Sequence, residues 1–180
     1  MRKVVVITGG TDGLGATLAK QLAAQYNVVI VGRNAEKTRY VADSIECTYV
    51  IADVRDPDAL KRAAEEVKER FHRVDRLVNN AGVWIEGKLL DTESEKIDEV
   101  IRVNTLGVIY STQAFLPLMN TGSLIVNVIS QAGLTAKAER TIYNTSKWAL
   151  TGFTKSLQLE LAPLHIRVAG FYPGAIQTGL

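Results

Sequence analysis

The stretch ITGGTDGLGATLA, residues 7–19, decides the fold. It continues the apolar run KVVVIT at 3–8, which is typical of a strand, and leads into Leu14, Leu18 and Leu22, which recur at helical spacing. A glycine-rich turn between a strand and a helix gathers backbone N–H groups and the positive end of the helix dipole at one point, where phosphate binds. We therefore expect a pyrophosphate at this turn; a loop without a ligand is the alternative.

Each glycine of the turn has an expected task. Gly9 permits the sharp turn, Gly13 lets a pyrophosphate approach the backbone, and Gly15 lets the helix and strand pack closely. The spacing is G-x-x-x-G-x-G, which differs from the G-x-G-x-x-G of other dinucleotide-binding folds. We expect the residues between the glycines to line the same site: Thr11, Asp12 and Leu14.

Short apolar runs recur along the whole chain. They are rich in Val and Ile and do not alternate with polar residues, which indicates strands covered on both faces, as in a parallel sheet. Helical patterns separate them, so we predict an α/β fold: a doubly wound parallel sheet of Rossmann type, three-layer α/β/α, as a single domain over residues 1–180. After the first strand, the predicted strands lie at 28–31, 48–52, 75–80, 123–130 and 166–172.

Composition excludes several classes of function. The 180 residues hold 21 Lys and Arg against 19 Asp and Glu, a net charge of +2, which does not predict nucleic-acid or membrane-surface binding. No apolar stretch reaches the ~20 residues of a membrane span, and the N-terminus does not resemble a signal peptide, so we expect a cytoplasmic protein. A single cysteine, Cys47, and two distant histidines predict neither a disulfide nor a metal site.

The end of the second predicted strand bears on the choice of cofactor. An acidic residue there binds the ribose hydroxyls of NAD, whereas an arginine accommodates the 2′-phosphate of NADP. The sequence VVIVGRN has Gly32 in the acidic position and Arg33 next to it. We predict NADP, with NAD less favoured, although Asp12 counts against it and a merely solvated Arg33 is the alternative.

The segment YNTSK places Tyr143 and Lys147 four residues apart, on one face of a predicted helix. This pair alone is common by chance, but Ser130 ends the strand LIVNVIS, and ligands of open α/β sheets bind beyond such ends. An ammonium group near a tyrosine lowers its pKa, so that Tyr143 can exchange a proton with a substrate oxygen. Ser130 can hydrogen-bond that oxygen, and a nicotinamide can supply a hydride for carbonyl reduction.

Together these motifs resemble the classical short-chain dehydrogenase/reductase (SDR) family, over nearly the whole chain and in order. The matching segments are TGGTDGLG (8–15), DV (53–54), NNAG (79–82), Asn104 in RVNTLG, Ser130, the YNTSK pair and PGAIQT (173–178). By this resemblance Asn104, Ser130, Tyr143 and Lys147 form a catalytic tetrad. Lys147 would also bind the nicotinamide ribose, and Asn104 would hold a water that links Lys147 to solvent.

The resemblance also implies cofactor contacts elsewhere. Asp53 and Val54 would lie beside the adenine. The segment after the fourth strand would line the cofactor with backbone atoms: Asn80, Ala81 and Gly82. The last motif would close over the nicotinamide through Pro173, Gly174, Ile176 and Thr178.

Family members often assemble through paired long helices, and two apolar-rich helical segments, near 96–119 and 142–162, fit a homodimer or homotetramer. Two departures from the family are visible. Ile129 replaces the first serine of N-x-S-S, and the sequence stops at Leu180, where relatives continue with a substrate loop, a helix and a seventh strand. We expect the C-terminus to be incomplete, because a missing last strand would leave an exposed sheet edge.

These observations favour an NADP(H)-dependent oxidoreductase that acts on a small carbonyl or secondary alcohol, with Tyr143 as general acid/base. A non-catalytic nucleotide-binding or regulatory protein on the same fold is the alternative. A nucleotide-sugar epimerase relative fits poorly, because its glycine spacing differs. A methyltransferase would not need Tyr143 and Lys147.

Overall fold

The computed structural model describes residues 2–176 and contains a six-stranded parallel sheet in the order β3-β2-β1-β4-β5-β6. This is the strand order of the doubly wound nucleotide-binding fold. Every predicted strand is present, within one or two residues of its predicted bounds. The strands are β1 (Val4–Thr8), β2 (Asn27–Gly32), β3 (Thr48–Ile51), β4 (Arg76–Asn79), β5 (Leu124–Val128) and β6 (Arg167–Phe171).

Alternate residues of the central strands enter two different cores. In β1, Val4 and Val6 join the larger core, and Val5 and Ile7 join the smaller core on the other face. All four are almost fully buried, which explains why the strand sequence shows no polar alternation. The predicted three-layer arrangement is confirmed.

The helices divide between the two faces. Two of them cover the smaller core: α1 (Gly13–Leu22) and α2 (Ala35–Ser44). The larger core is covered mainly by α3 (Pro57–Phe71), α5 (Gly107–Phe115) and α6 (Thr141–Leu161), with α4 (Ser94–Ile101) leading into α5. No helix within residues 2–176 has both the length and the apolar character needed to cross a bilayer.

The predicted helix over 96–119 is not continuous. A π-helical segment, Arg102–Leu106, separates α4 from α5, and a 3₁₀ turn, Leu116–Leu118, ends α5 at Pro117. The π-helical segment contains Asn104, whose side chain is fully buried. Hydrophobic periodicity did not predict the interruption, because a π-turn is a single local turn within an otherwise helical run.

Candidate active site

The candidate site lies where the strand order reverses, beyond the C-terminal ends of the adjacent strands β1 and β4. Thr8, the last residue of β1, ties the two following loops together. Its hydroxyl accepts the N–H groups of Asn80 and Ala81, each at 3.1 Å. The Asn80 amide donates in return to the carbonyls of Thr8 and Gly9, both at 3.1 Å. The NNAG segment thus supports the glycine-rich turn from the side.

Two of the three glycines have no room for a side chain, and the third, Gly13, has a positive φ of 46°. Gly9 has φ +63°, and a Cβ there would come within 2.8 Å of the Ala81 Cα. Gly15 lies in the first turn of α1, where a Cβ would be 2.3 Å from the Gly9 carbonyl oxygen. Close approach of the helix to the turn is therefore possible only without a side chain at these positions.

The turn opens onto a cleft of ≈ 690 Å³, the nucleotide cleft. Most of the predicted cofactor residues meet there, although they come from four separate segments of the chain. Gly15 packs behind the turn and does not line the nucleotide cleft. The predicted residues that line it are Gly9, Thr11, Asp12, Gly13, Leu14, Arg33, Asp53, Val54, Asn80, Ala81 and Gly82.

Lys37, which the sequence analysis missed, lies with Arg33 along this cleft. The Lys37 ammonium forms an ion pair with the Asp12 carboxylate and is the main cause that lowers the pKa of Asp12. Asp12 also caps α1 by accepting the N–H of Gly13 at 3.1 Å. The carboxylate that counted against NADP is therefore neutralised by a neighbouring cation.

Asp53 is held by Arg55 along the same cleft. The guanidinium donates to both carboxylate oxygens, at 3.0 Å from Nε and 2.6 Å from Nη2, and the backbone N–H of Arg55 adds a third bond at 2.9 Å. This arrangement holds the pKa of Asp53 below its ordinary value, with a smaller contribution from Arg33. Asp53 is thus ionised and fixed in orientation.

A second cleft of ≈ 500 Å³, the catalytic cleft, contains Ser130 and Tyr143. Pro173 and Gly174 line it as well, whereas Ile176 is 44% exposed and lines neither cleft. Thr178 lies outside the described residues. The two clefts adjoin at the loop after β4, where Val83 lines the first and Trp84 lines the second. A Cβ built on the neighbouring Gly82 would lie 3.7 Å from the Lys147 Nζ.

Lys147 is buried beneath Tyr143. Its side chain runs under the aromatic ring, with Nζ 5.6 Å from the ring centroid, and donates to the Val128 carbonyl at 3.3 Å. The residue is only 5% exposed, and burial lowers the pKa of Lys147 to about 8. An ammonium with so low a pKa can release a proton near neutral pH.

The prediction that Lys147 lowers the pKa of Tyr143 is wrong. The pKa of Tyr143 is raised, because burial of the half-covered phenol outweighs the other effects. The Ser130 hydroxyl and the Arg140 guanidinium act in the opposite direction. Lys147 is not among the groups that shift this pKa.

Asn104 acts through the backbone of the neighbouring loop. Its Oδ1 accepts the N–H of Val83 at 2.8 Å, and its Nδ2 donates to the Val83 carbonyl at 2.9 Å and to the Ser146 hydroxyl at 3.2 Å. Both amide hydrogens are used by these bonds. The side chain therefore fixes the segment that joins Gly82 to Trp84, at the junction of the two clefts.

Ser130 has an unusual backbone. Its φ is 124° and its ψ is 155°, a region that only glycine adopts easily. The preceding Ile129, which departs from the family pattern, is 1% exposed and packs with Val108 and Leu150. The larger side chain thus forms a small core that anchors the strand end beside Ser130.

The family model described as short chain dehydrogenase matches residues 3–180. The chain belongs to the short-chain dehydrogenase family. It is an oxidoreductase of that family, so the predicted family and class are confirmed.

Relatives of this SDR protein include the trans-4-hydroxycyclohexanecarboxylate dehydrogenase of Sinomonas cyclohexanicum, 33% identical over 189 residues, which cover 98% of this chain and 73% of the relative. Among solved structures, an alcohol dehydrogenase from Thermococcus sibiricus, complexed with 5-hydroxy-NADP, is 29% identical with a TM-score of 0.94. The match covers 99% of this chain and 78% of that one. An SDR from Burkholderia phymatum in complex with NAD is 30% identical, also with a TM-score of 0.94, over 99% of this chain and 67% of that one.

The resemblance to the SDR family did not point to Trp84 or Arg140, which form one wall of the catalytic cleft. The Trp84 and Tyr143 rings meet edge to face with centroids 4.4 Å apart, and the Arg140 guanidinium lies 4.7 Å from the Trp84 centroid. Helical spacing gives a weak signal for Arg140, which precedes Tyr143 by three residues. No sequence signal predicts Trp84, because it comes from a loop.

Proposed function

We propose that this protein is an NADP(H)-dependent oxidoreductase that interconverts a carbonyl compound and a secondary alcohol, with Tyr143 as the general acid/base. The observation that carries the proposal is the junction of the two clefts. Gly82 of the nucleotide cleft adjoins Lys147, and Lys147 underlies Tyr143 of the catalytic cleft. A nicotinamide and a substrate oxygen can therefore meet between them.

A dinucleotide fits the residues present. The cradle at Gly9 and Gly15 leaves no room for a Cβ, and the N-terminus of α1 faces the turn, as a pyrophosphate requires. Arg33 and Lys37 line the part of the cleft where the 2′-phosphate of NADP would bind. The two carboxylates of the same cleft are already paired, Asp12 with Lys37 and Asp53 with Arg55, which leaves Arg33 for the phosphate. This charge balance favours NADP over NAD.

The cofactor, when bound, supplies or accepts the hydride that is exchanged with the substrate carbon. In reduction, Tyr143 donates its proton to the carbonyl oxygen as the alcohol forms, and in oxidation it accepts that proton. Ser130 donates a hydrogen bond to the same oxygen and orients it. Lys147, with a pKa of about 8, holds the proton that restores Tyr143.

Asn104 has a positioning role in this proposal. Because its amide hydrogens are occupied by Val83 and Ser146, a relay water would bind its main-chain carbonyl. The π-turn at Arg102–Leu106 favours this, since such turns shift backbone carbonyls out of the regular helical pattern.

Assembly into a homodimer or homotetramer is part of the proposal. Helix α6 exposes Trp148 and Leu159, which are 50% and 79% exposed and share one side of the helix with Gly152. Such an apolar stripe suits a second copy of the chain. Light scattering of Leu159→Glu tests this, since the charge should shift the protein toward monomer, whereas an unchanged mass would remove α6 from the interface.

Calorimetric titration with NADPH and then NADH tests the cofactor assignment. We expect tighter binding of NADPH, and about ten- to hundredfold weaker NADPH binding in Arg33→Ala and Lys37→Ala, with little change for NADH, because each loses a charge-assisted contact. Equal losses for the two cofactors would contradict the NADP assignment.

A screen of ketones and alcohols tests the reaction. Tyr143→Phe should lower turnover by about 10²- to 10⁴-fold and leave cofactor binding intact. Retained turnover in this variant would refute the role of Tyr143. Cofactor binding by the unmodified protein without any turnover would support the non-catalytic alternative.

A further inference from the structure

The charged groups of the catalytic cleft have one sign. Within the described residues, its lining contains Lys137 and Arg140 and no carboxylate. The remainder is polar or apolar: Trp84, Ser130, Gln131, Ala132, Thr135, Tyr143, Asn144, Pro173, Gly174 and Ala175. Glu86 does not line the cleft but pairs with Arg140, so Lys137, Arg140 and Glu86 together carry one net positive charge, which favours a negatively charged ligand.

Arg140 is fixed with part of its guanidinium unused. Nε donates to the Glu86 carboxylate at 3.1 Å, and the group stacks on Trp84. No hydrogen bond within residues 2–176 involves its two terminal nitrogens, and the side chain is 28% exposed. This leaves the two parallel donors that match a carboxylate.

The segment that carries Lys137 is also held in place. The Asn144 amide donates to the Thr135 carbonyl at 2.8 Å, and the Gly87 N–H donates to the Glu139 carbonyl at 2.7 Å. Both bonds join residues 135–140 to neighbouring elements. The two cations are therefore part of one supported wall.

The cations lie close to the proposed reacting groups. Arg140 precedes Tyr143 by one helical turn and lowers the pKa of that tyrosine, which places its charge within electrostatic reach of the phenol. Trp84 contacts both Arg140 and Tyr143 and offers an apolar face between them. A ligand that reaches Tyr143 can span to the cations over a short apolar segment.

We infer that the substrate carries a carboxylate, which Arg140 and Lys137 bind while its carbonyl or hydroxyl group faces Tyr143 and Ser130. A short carbon chain or ring between the two groups packs on Trp84. The inference rests on the proposed function and adds the substrate class, an oxo or hydroxy carboxylic acid.

Matched substrates test the inference through turnover. The probes are 4-oxopentanoate and 3-oxocyclohexanecarboxylate, each beside its methyl ester. We expect kcat/KM for the acid to exceed that for the ester by about tenfold or more. Lys137→Gln and Arg140→Gln should each reduce this acid-to-ester ratio severalfold to tenfold. Lys20→Gln, which removes an exposed lysine at the end of α1, should leave the ratio unchanged. Equal kcat/KM for acid and ester would overturn the inference but not the proposed reaction.

A binding measurement tests the carboxylate site even if neither probe is turned over. The chain has two tryptophans, so Trp148→Phe leaves Trp84 as the only tryptophan reporter. Titration of this variant with 4-oxopentanoate should change the Trp84 fluorescence at concentrations about tenfold below those needed for the ester. Adding Lys137→Gln should weaken binding of the acid but not binding of the ester. Because Lys137 is exposed, this variant should still fold. Equal binding of acid and ester would refute the carboxylate site, whereas carboxylate binding without reduction of either probe would count against the proposed function alone.

Discussion

The two clefts lie side by side, but their residues affect stability in opposite ways. In the nucleotide cleft the residues that form the site also stabilise the fold, since Asn80 bonds the glycine turn and Gly15 lets α1 pack against it. In the catalytic cleft Lys147 is a buried cation and Ser130 has a strained backbone, and each costs free energy. Substitutions that abolish function should therefore destabilise the protein in the nucleotide cleft and stabilise it in the catalytic cleft.

Lys147→Met should raise the free energy of unfolding. The fall in the pKa of Lys147 from its ordinary 10.5 to about 8 corresponds to an unfavourable contribution of about 3 kcal/mol at neutral pH, from ~1.4 kcal/mol per pH unit. Loss of the bond to Val128 offsets part of this, so we expect a gain of about 2 kcal/mol in urea denaturation, together with loss of turnover.

The pH dependence provides the control for this variant. Between about pH 8 and 10 the unfolded chain keeps the Lys147 proton that the folded chain has released, so the stability of the unmodified protein rises with pH there. The gain from Lys147→Met should shrink over the same range. A constant gain at every pH would show that the lysine does not titrate in the fold with a lowered pKa.

Gly15→Ala should act in the opposite direction. The added methyl group would meet the Gly9 carbonyl at 2.3 Å and the Asn80 amide at 2.5 Å, and such overpacking costs about 1–3 kcal/mol. Gly152→Ala is the matched control for overlap within one chain, because it is also helical and its Cβ meets nothing within 4 Å there. It should stabilise the protein by about 0.5–1 kcal/mol. Thermal unfolding and NADPH titration of both variants measure the difference, and similar changes in the two would mean that the turn tolerates a side chain.

The contrast between the clefts also explains what the sequence could predict. The nucleotide cleft depends on backbone conformation within contiguous motifs, so the spacing of Gly9, Gly13 and Gly15 was sufficient to predict the strand, the turn and the helix. The six strands followed from their apolar runs in the same way. The fold brings the predicted nucleotide-cleft residues together, and their binding of a cofactor stays a prediction.

The catalytic cleft depends on contacts between distant segments. Trp84 and Arg140 become neighbours only when the loop after β4 packs against the start of α6, which no local pattern encodes. The direction of the Tyr143 pKa was wrongly predicted for the same reason, since burial is a property of the whole fold. The pairing of Lys37 with Asp12 likewise requires two loops to meet.

Ser130 allows a smaller test of strain. Ser130→Ala and Ser130→Gly both lose the hydroxyl and its bond to the Ala132 N–H, and both should lower turnover. They differ in that glycine adopts a φ of 124° without steric cost. We expect Ser130→Gly to be about 1 kcal/mol more stable than Ser130→Ala, even after the greater flexibility of unfolded glycine is subtracted. Chemical denaturation compares them, and a more stable alanine variant would disprove the strain.

Arg140→Gln should give the smallest effect, a shift in a pH profile. Arg140 lowers the pKa of Tyr143 against the effect of burial, so its loss should raise that pKa further. Alcohol oxidation requires the ionised phenol as proton acceptor, so the rise of kcat/KM with pH should move to higher pH. Arg140→Lys keeps a cation and should keep more of the original profile. If both variants follow the unmodified profile, Arg140 does not set the pKa of Tyr143, and the charge on the wall of the catalytic cleft acts on the substrate rather than on the tyrosine.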